Sequence, residues 1–309
     1  MTDDVTDFIE PEENLLVFGG KLPEHDTMKK MDEMLVKRAD VSMPDSETQW
    51  QSHQKEALAK LRQITFRNLP ADSMPRLRDK LADGGTRDGD VYGTRVFDTA
   101  DGLTLAIKTR YSQQSAVPTP TVVYAVQPEA RSTFTGGGVS RPGLAPEFAS
   151  AGVEVRNTGA TSVGAGYLWT MQRVYPLLGH SLAERQISDL LAGAALMRQE
   201  ATTGSMVLYG QAETAALAIY AAILDPQVSE LILDAPPESH AQAETAALLG
   251  VLRVGDLPQN LALLYPRPIT FIGKLPPAYE WTKQVYEKLG AGDRIRVVRS
   301  VRDWIPLPR

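Results

Sequence analysis

Side chains that could perform nucleophilic catalysis lie close together at 234–240. Ser239 and His240 are neighbours there, and Asp234 and Glu238 supply carboxylates. A serine hydroxyl becomes a nucleophile when an imidazole accepts its proton, and a carboxylate orients that imidazole. One hypothesis is therefore a catalytic group formed by Ser239 and His240, with Asp234 as the acid. The alternative is a polar loop in which His240 bonds to backbone, because neighbouring residues seldom meet in nucleophile-to-base geometry.

A second feature is the segment 205–214, which reads Ser-Met-Val-Leu-Tyr-Gly-Gln-Ala-Glu-Thr and precedes an alanine-rich run. It predicts a buried strand, a sharp turn at Gly210 and a helix. A turn of this kind can expose a nucleophile at a sheet edge in the pattern G-x-S-x-G. Here Ala212 occupies the nucleophile position and Thr214 the closing glycine. A methyl group cannot attack a carbonyl, so the turn lacks the reactive atom.

Glu213 follows Ala212 at the predicted N-terminus of the helix, where the helix dipole favours negative charge. On the floor of a pocket this carboxylate could bind a cation or a sugar hydroxyl, and stabilisation of the helix end explains it equally well. A metal site would need two or three further ligands, for which only Asp234 and His240 are candidates. The sequence predicts no metal site and no cofactor.

The segment 157–166 follows the fourth predicted strand and is rich in glycine. Its Gly-x-Gly spacing is typical of phosphate loops, but it lacks the Gly-Lys-Ser/Thr of a P-loop, so a pocket-rim loop is predicted. The next residues include Tyr167, Trp169 and Tyr175. These aromatic side chains could form a platform for a carbohydrate, or they could be core residues.

The composition narrows the class of protein. The 309 residues are 43% hydrophobic and 23% charged, as in soluble globular proteins. A net charge of −6 without a basic stripe argues against nucleic acid as the main partner. No apolar run approaches the roughly 20 residues that span a bilayer, and the N-terminus lacks a signal-peptide pattern, so a cytoplasmic location is expected unless the chain is a fragment of an exported protein. The absence of cysteine excludes disulfides and thiolate chemistry.

Two regions differ along the chain. Residues 1–90 are polar and charged, with one helix starting at the capping box 46–49 and another expected at 74–82, and they predict a helical extension or linker. From residue 91 a hairpin leads into alternating strands and helices, which predicts a domain over 91–309. Its fold class is α/β, with a mostly parallel sheet of about eight strands and helices on both faces. Strands are predicted at 91–100, 103–111, 121–126, 153–156, 206–209, 228–233, 269–272 and 295–301, and helices at 145–151, 181–200, 214–224 and within 273–290.

The order of these elements, the position of the turn after the fifth strand and the length resemble the α/β-hydrolase superfamily over 91–309. The segments 177–182, 234–240 and 251–258 look more narrowly similar to bacterial acetyl xylan esterases and dienelactone hydrolase-like proteins, in which a second hydrolase-like half can be degenerate. The resemblance implies that ligands bind beyond the carboxyl ends of the strands, with the turn at Gly210 as the pocket floor.

The resemblance also implies a serine, an acid and a histidine in that chain order. Ala212 stands at the serine position, and no histidine occurs beyond His240, so 301–309 lacks the expected base. The segment 273–277 offers no carboxylate, which leaves Asp234 as the only acid at a suitable place. Nucleophile and base are therefore both missing from the positions that the resemblance assigns to them.

The oxyanion region of active members would follow the third strand. Gln127 and Pro128 stand where such members often have His-Gly, and the glycines at 136–138 either present backbone N–H groups or belong to a mobile surface loop. The residues expected to form the pocket are Gln127, Asn157, Gly210, Gln211 and Glu213.

Two functional hypotheses follow. The first is a non-catalytic structural or binding module, companion to an active esterase domain or subunit, with a carbohydrate or small-molecule ester as its expected ligand. The second is a working carboxylesterase with a displaced catalytic group, in which Ser239 or Ser162 acts with His240 and Asp234.

Overall fold

The computed structural model describes residues 10–69, 76–81, 85–113, 118–127, 142–200, 202–242 and 245–307. Contacts within the chain divide it into two compact units, Met1–Arg38 and Ala39–Arg309. The smaller unit contains two short helices, α1 (Glu12–Leu15) and α2 (Met31–Leu35), and none of its residues with described side chains is buried. The contact-based boundary at residue 38 thus differs from the sequence-based boundary at residue 90.

The reason for this difference is the helix α3 (Glu47–Ile64), which belongs to the larger unit. It begins at Ser46, whose hydroxyl accepts the amide proton of Gln49 as a helix cap. One face of α3 buries Trp50, Ala57 and Leu61 in the main hydrophobic cluster of the domain. The apolar spacing of this helix therefore reflects packing within the larger unit.

The helix expected at 74–82 is wrong, because a strand forms there instead. The sheet contains ten strands: β1 (Arg76–Leu81), β2 (Thr86–Arg87), β3 (Asp90–Asp98), β4 (Thr104–Ser112), β5 (Thr119–Ala125), β6 (Ala149–Val153), β7 (Thr203–Gln211), β8 (Glu230–Asp234), β9 (Ile269–Ile272) and β10 (Ile295–Val298). β1 pairs with β3 in antiparallel register, and these backbone hydrogen bonds outweigh local helix propensity.

The strands follow the order β1-β3-β4-β6-β5-β7-β8-β9-β10, with β2 paired to β3. In this order, each strand from β6 through β5, β7, β8 and β9 to β10 is parallel to its neighbour. The pairs that involve β1, β2, β3 and β4 are antiparallel. The expected mostly parallel sheet and the hairpin leading into it are confirmed, with ten strands instead of about eight. The expected helix at 145–151 is wrong, since β6 inserts between β4 and β5 with all five residues buried.

The remaining helices of the larger unit are α4 (Ala165–Leu177), α5 (Leu182–Arg198), α6 (Glu213–Leu224), α7 (Leu257–Ala262) and α8 (Glu280–Lys288). α5 begins at the predicted capping box, in which the Ser181 hydroxyl and the Glu184 carboxylate each bond to the other residue's amide. None of the helices in the described ranges is long and apolar enough to cross a bilayer.

Helices were expected on both faces of the sheet. In the described parts of the chain, α3, α5, α6, α7 and α8 all contribute to one hydrophobic cluster on one face. The second face carries Tyr124 and Tyr209, and it is covered there by the loop residue Phe148 and by Trp304 near the C-terminus. Residues on alternate strand positions thus enter two separate clusters, as the two-residue period of a strand requires.

Candidate functional site

The turn between β7 and α6 has strained backbone geometry. Ala212 lies between the two elements with φ 46° and ψ −124°, a region that a residue with a Cβ rarely adopts. Its amide donates a hydrogen bond of 2.9 Å to the carbonyl of Asp234, at the end of the neighbouring strand β8. The sharp turn expected from the sequence is therefore present, and a methyl group stands at its apex.

Close contact between the strand and the helix requires Gly210. A Cβ built on Gly210 would lie 2.5 Å from the Cα of Ala215 and 2.8 Å from the Cβ of Ala218. Thr214, at the closing-glycine position, is buried, and its hydroxyl donates to the carbonyl of Gln211 at 2.9 Å. Thr214 thus secures the turn with a hydrogen bond that glycine could not make.

Gln127 fastens the end of β5 to the same turn. Its side-chain Nε2 donates to the carbonyl of Gln211 at 2.8 Å and to the Thr214 hydroxyl at 3.2 Å. This side chain therefore has a structural role in holding the two strand ends together. Pro128 and the glycines at 136–138, which were considered for an oxyanion loop, lie outside the described residues.

Asp234 ends β8 and is held by two neutral donors. Its Oδ2 accepts hydrogen bonds from the Tyr209 hydroxyl at 3.0 Å and from Gln211 Nε2 at 3.1 Å. Burial, followed by the charge of Asp234, raises the pKa of Tyr209, so the phenol remains a proton donor to the carboxylate. Asp234 therefore bonds to groups of the turn, and no histidine of the described chain is among its partners.

Ser239 and His240 lie in the loop after β8, but their side chains bond to different groups. The Ser239 hydroxyl donates to Asp256 Oδ2 at 2.5 Å. His240 Nδ1 lies 3.2 Å from the Ala246 carbonyl and must carry the proton there, since a carbonyl only accepts. Nε2 then accepts from the Tyr220 hydroxyl at 2.7 Å. In the described chain the serine hydroxyl and the imidazole are not hydrogen-bond partners.

The environment of His240 makes the stability of the protein dependent on pH. Burial lowers the pKa of His240 below its ordinary value of 6.5. The pKa of His240 is therefore lower in the folded protein than in the unfolded chain. At pH values between these two pKa values the unfolded chain binds more protons, so the free energy of unfolding should fall as the pH is lowered through about 6.5. We expect His240→Gln to reduce this slope, measured by urea unfolding between pH 8 and pH 5.

His25→Gln is the matched control for that experiment, because His25 is exposed in the smaller unit. Burial also lowers the pKa of His53, so His53 adds to the pH dependence of stability with the same sign in the wild type and in both variants. Slopes rather than absolute stabilities are compared, since His240→Gln also removes hydrogen bonds. If the free energy of unfolding changed equally with pH in the wild type and in His240→Gln, the pH dependence could not be assigned to His240.

A cavity of about 360 Å³ adjoins the N-terminus of α6. This volume lies near the lower end of the range for small-molecule pockets, roughly 300–1,000 Å³. Glu213 and Thr214 line it from α6, Asn157 and Thr158 line it from the loop after β6, and α4 contributes Leu168, Gln172 and Pro176. Glu213 is the only charged side chain among the described lining residues.

Asn157 is the most constrained polar residue of this cavity. Its exposed fraction is 8%, and its backbone is left-handed with φ 62°, a conformation that asparagine tolerates better than most residues. Its Oδ1 accepts the amide proton of Val163 at 3.1 Å, which fixes the orientation of the side chain. Within the described chain, its Nδ2 has no hydrogen-bond partner. The pocket-lining donor is therefore held in place before any ligand binds.

The other residues considered for the pocket lie elsewhere. Gln127 follows β5, Gly210 and Gln211 end β7, and none of the three lines the cavity. Ser162 is exposed on the loop after β6. Tyr167 and Trp169 of α4 are exposed, so the interpretation of these two as core residues is wrong. The guanidinium of Arg173 covers one face of Trp169 at 3.6 Å from the ring centroid. None of the aromatic side chains of α4 lines the cavity.

The residues considered as metal ligands are not brought together. The carboxylate of Asp234 bonds to Tyr209 and Gln211, while both nitrogens of His240 pair with groups of its own loop and of α6. Across the described ranges, no group of three or more histidine and acidic side chains is arranged to hold a metal ion.

The sheet with its turn after β7 and the helices packed on it define an α/β-hydrolase fold. Solved structures with this arrangement include a Bacteroides fragilis protein assigned as an acetyl xylan esterase, with a TM-score of 0.69 and 14% identity over 89% of this chain and 82% of that one. Glucuronoyl esterases from Solibacter usitatus and Caldicellulosiruptor kristjansonii both give a TM-score of 0.55, at 12% and 14% identity. The match to the Solibacter usitatus structure covers 86% of this chain and 96% of that one, and the match to the Caldicellulosiruptor kristjansonii structure covers 88% of each chain. No family model and no curated protein sequence matches this chain.

Proposed function

We propose that this chain is a non-catalytic binding module with an α/β-hydrolase fold, related to carbohydrate esterases. The observation that carries the proposal is the strained turn with Ala212 at its apex, because the methyl group stands where a nucleophilic oxygen would be needed. Acyl transfer by such a site also needs an imidazole to accept the proton. His240 is the last histidine in the sequence, and both its nitrogens are bonded.

The retained geometry supports binding over a purely structural role. Backbone strain persists only where the surrounding structure enforces it, and here Gly210, Thr214 and Gln127 all secure the turn. The cavity beside the turn contains an oriented amide donor in Asn157 and a carboxylate in Glu213. A carbohydrate or small ester is the ligand class suggested by the names of the similar structures, and a companion esterase domain or subunit would perform the chemistry.

The alternative is a carboxylesterase that uses Ser239 with His240 and Asp234, or Ser162 in place of Ser239. The hydrogen bonds of these residues do not favour it. The Ser239 hydroxyl bonds to Asp256, the imidazole bonds to Tyr220 and the Ala246 carbonyl, and Asp234 bonds to the turn. A rearrangement of all three groups would be needed before a proton could pass from serine to histidine.

Hydrolysis of p-nitrophenyl acetate tests the proposal. We expect the wild type to show no turnover above buffer, and Ala212→Ser to remain at most weakly active, because the new hydroxyl has no imidazole to accept its proton. Weak acetylation of Ala212→Ser, seen by mass spectrometry, would indicate that donors to the oxyanion remain. Turnover by the wild type, together with labelling of Ser239 or Ser162 by a serine-directed phosphonate, would overturn the proposal in favour of the alternative.

A further inference from the structure

We propose that the cavity beside the turn holds the short unbranched acyl chain of an ester and excludes sugars. The inference rests on the proposed function, whose ligand classes are a carbohydrate and a small ester, and it selects the ester. It also treats the cavity as a place where a ligand is held and not transformed.

The most buried wall of the cavity is apolar. Val126 just after β5, Val155 after β6 and Leu217 of α6 line it, and each of these residues is at most 3% exposed. Leu168 of α4 and Leu249 add two half-buried leucines to the lining. An alkyl chain that moves from water onto such a surface gains free energy in proportion to the apolar area removed from water.

The buried hydroxyl groups of the lining already bond to the protein. Thr158, Thr214 and Thr245 each donate the hydroxyl proton to a backbone carbonyl, at 2.6, 2.9 and 2.8 Å. The Ser181 hydroxyl accepts an amide proton as the cap of α5. A sugar carries a hydroxyl group on nearly every carbon, and each one that leaves water needs new partners. The three threonine protons cannot be donated to sugar oxygens, because they are already engaged.

The ester group of such a ligand belongs at the open side of the cavity. Gln172 of α4 and Glu213 of α6 line the cavity and are exposed, so this side remains hydrated. The ester oxygens accept hydrogen bonds from water there, while the acyl chain occupies the apolar interior. A water molecule takes up about 30 Å³ of liquid and a methylene group is of similar size, so about 360 Å³ holds roughly ten heavy atoms. An ester with an acyl chain of about six carbons is of this size.

A series of ethyl ketones tests the preference for an acyl chain and excludes hydrolysis. Ethyl methyl, ethyl propyl and ethyl pentyl ketone carry a methylene group in place of the bridging oxygen of methyl acetate, methyl butanoate and methyl hexanoate. Their binding to the full chain is measured by ligand-observed NMR titration, with xylose as the sugar. We expect the affinity to rise roughly tenfold for each two added methylene groups, and xylose to show no saturable binding. Affinities independent of chain length, or xylose binding as tightly as ethyl pentyl ketone, would overturn the inference.

Two neighbouring residues of α4 separate the cavity from the outer surface of that helix. Leu168 lines the cavity, whereas Tyr167 is 74% exposed and is not part of the lining. We expect Leu168→Asn to weaken the binding of ethyl pentyl ketone roughly tenfold, and the control Tyr167→Asn to leave it unchanged. Leu249→Asn changes a second part of the lining and should weaken binding similarly, so a folding defect in one variant leaves the test intact. Weaker binding in Tyr167→Asn alone would place the ketone on the outer surface of α4 and overturn the inference.

Failure of this inference and failure of the proposed function give different results. Xylose that binds more tightly than the ketones, without turnover of p-nitrophenyl acetate, would refute the acyl-chain site and leave the non-catalytic proposal intact. Conversely, turnover of p-nitrophenyl acetate by the wild type would refute the non-catalytic proposal, whatever the order of affinities for these unreactive ketones.

Discussion

Arg156→Ala should destabilise the folded protein by about 3–5 kcal/mol, the usual effect of leaving a buried charge without its partner. The Arg156 guanidinium donates two hydrogen bonds to Asp189, at 2.8 and 2.9 Å, and two more to Asp101, at 2.9 and 3.2 Å. The side chain of Asp189 is 0% exposed, and that of Arg156 is 9% exposed. Removal of the arginine would leave the Asp189 carboxylate buried without a cation.

This ion network joins three distant parts of the sequence. Asp101 lies in the turn after β3, Arg156 in the loop after β6, and Asp189 in the middle of α5. Burial opposes the charge of Asp101, but its bonds to Arg156 and Thr99 prevail and lower its pKa to about 2. Burial raises the pKa of Asp189 despite the same arginine, as expected for a fully enclosed carboxylate.

Urea unfolding at pH 7 measures the predicted loss, with Arg78→Ala as the control. Arg78 pairs with Asp98 at 3.3 Å, but its side chain is 58% exposed, so this pair should contribute no more than about 1 kcal/mol. A similar small effect for Arg156→Ala and Arg78→Ala would show that the network is not the strong structural link inferred here.

Gly210→Ala is the second substitution with a large expected effect. The added Cβ would lie 2.5 Å from the Cα of Ala215, a backbone atom that cannot move without displacing α6 from β7. Overpacking of a core typically costs about 1–3 kcal/mol, and the rigidity of this contact places the expected loss at the upper end. The displacement should also disturb the turn at Ala212, because the turn joins the same two elements.

Thermal and urea unfolding of Gly210→Ala should be compared with Gly166→Ala. A Cβ on Gly166 would meet no atom within 4 Å, and the residue is the second of α4, where alanine is a better helix former than glycine. The control should therefore be neutral or slightly stabilising. Equal stability of the two variants would show that β7 and α6 can separate at little cost.

Local signals in the sequence were sufficient for several elements. The hairpin of β3 and β4, the strand β9 and the capped start of α5 agree with prediction, because each depends on side chains within a few residues. The sequence predictions failed for β1 and β6, where helices were expected. Both strands form because neighbouring strands offer hydrogen bonds, which the local sequence does not encode.

The same distinction applies to the candidate site. Ser239 and His240 are adjacent in sequence, yet one bonds to Asp256 and the other to Tyr220, so adjacency did not predict contact. Asn157 was expected on a pocket rim from its place after a strand. Its unpaired amide becomes visible only when its bond to Val163 and its burial are known.

The sequence by itself determined the chemistry that each position can supply. It places alanine at residue 212, contains no histidine beyond His240 and contains no cysteine, and no folding can add a reactive atom that the side chains lack. The tertiary structure alone decided the geometry: the strained turn at Ala212, the cavity beneath α4 and the buried Arg156 network. These features depend on packing between residues that are far apart in the chain. Their geometry is the one that minimises the free energy of all these contacts together, so no local segment determines it.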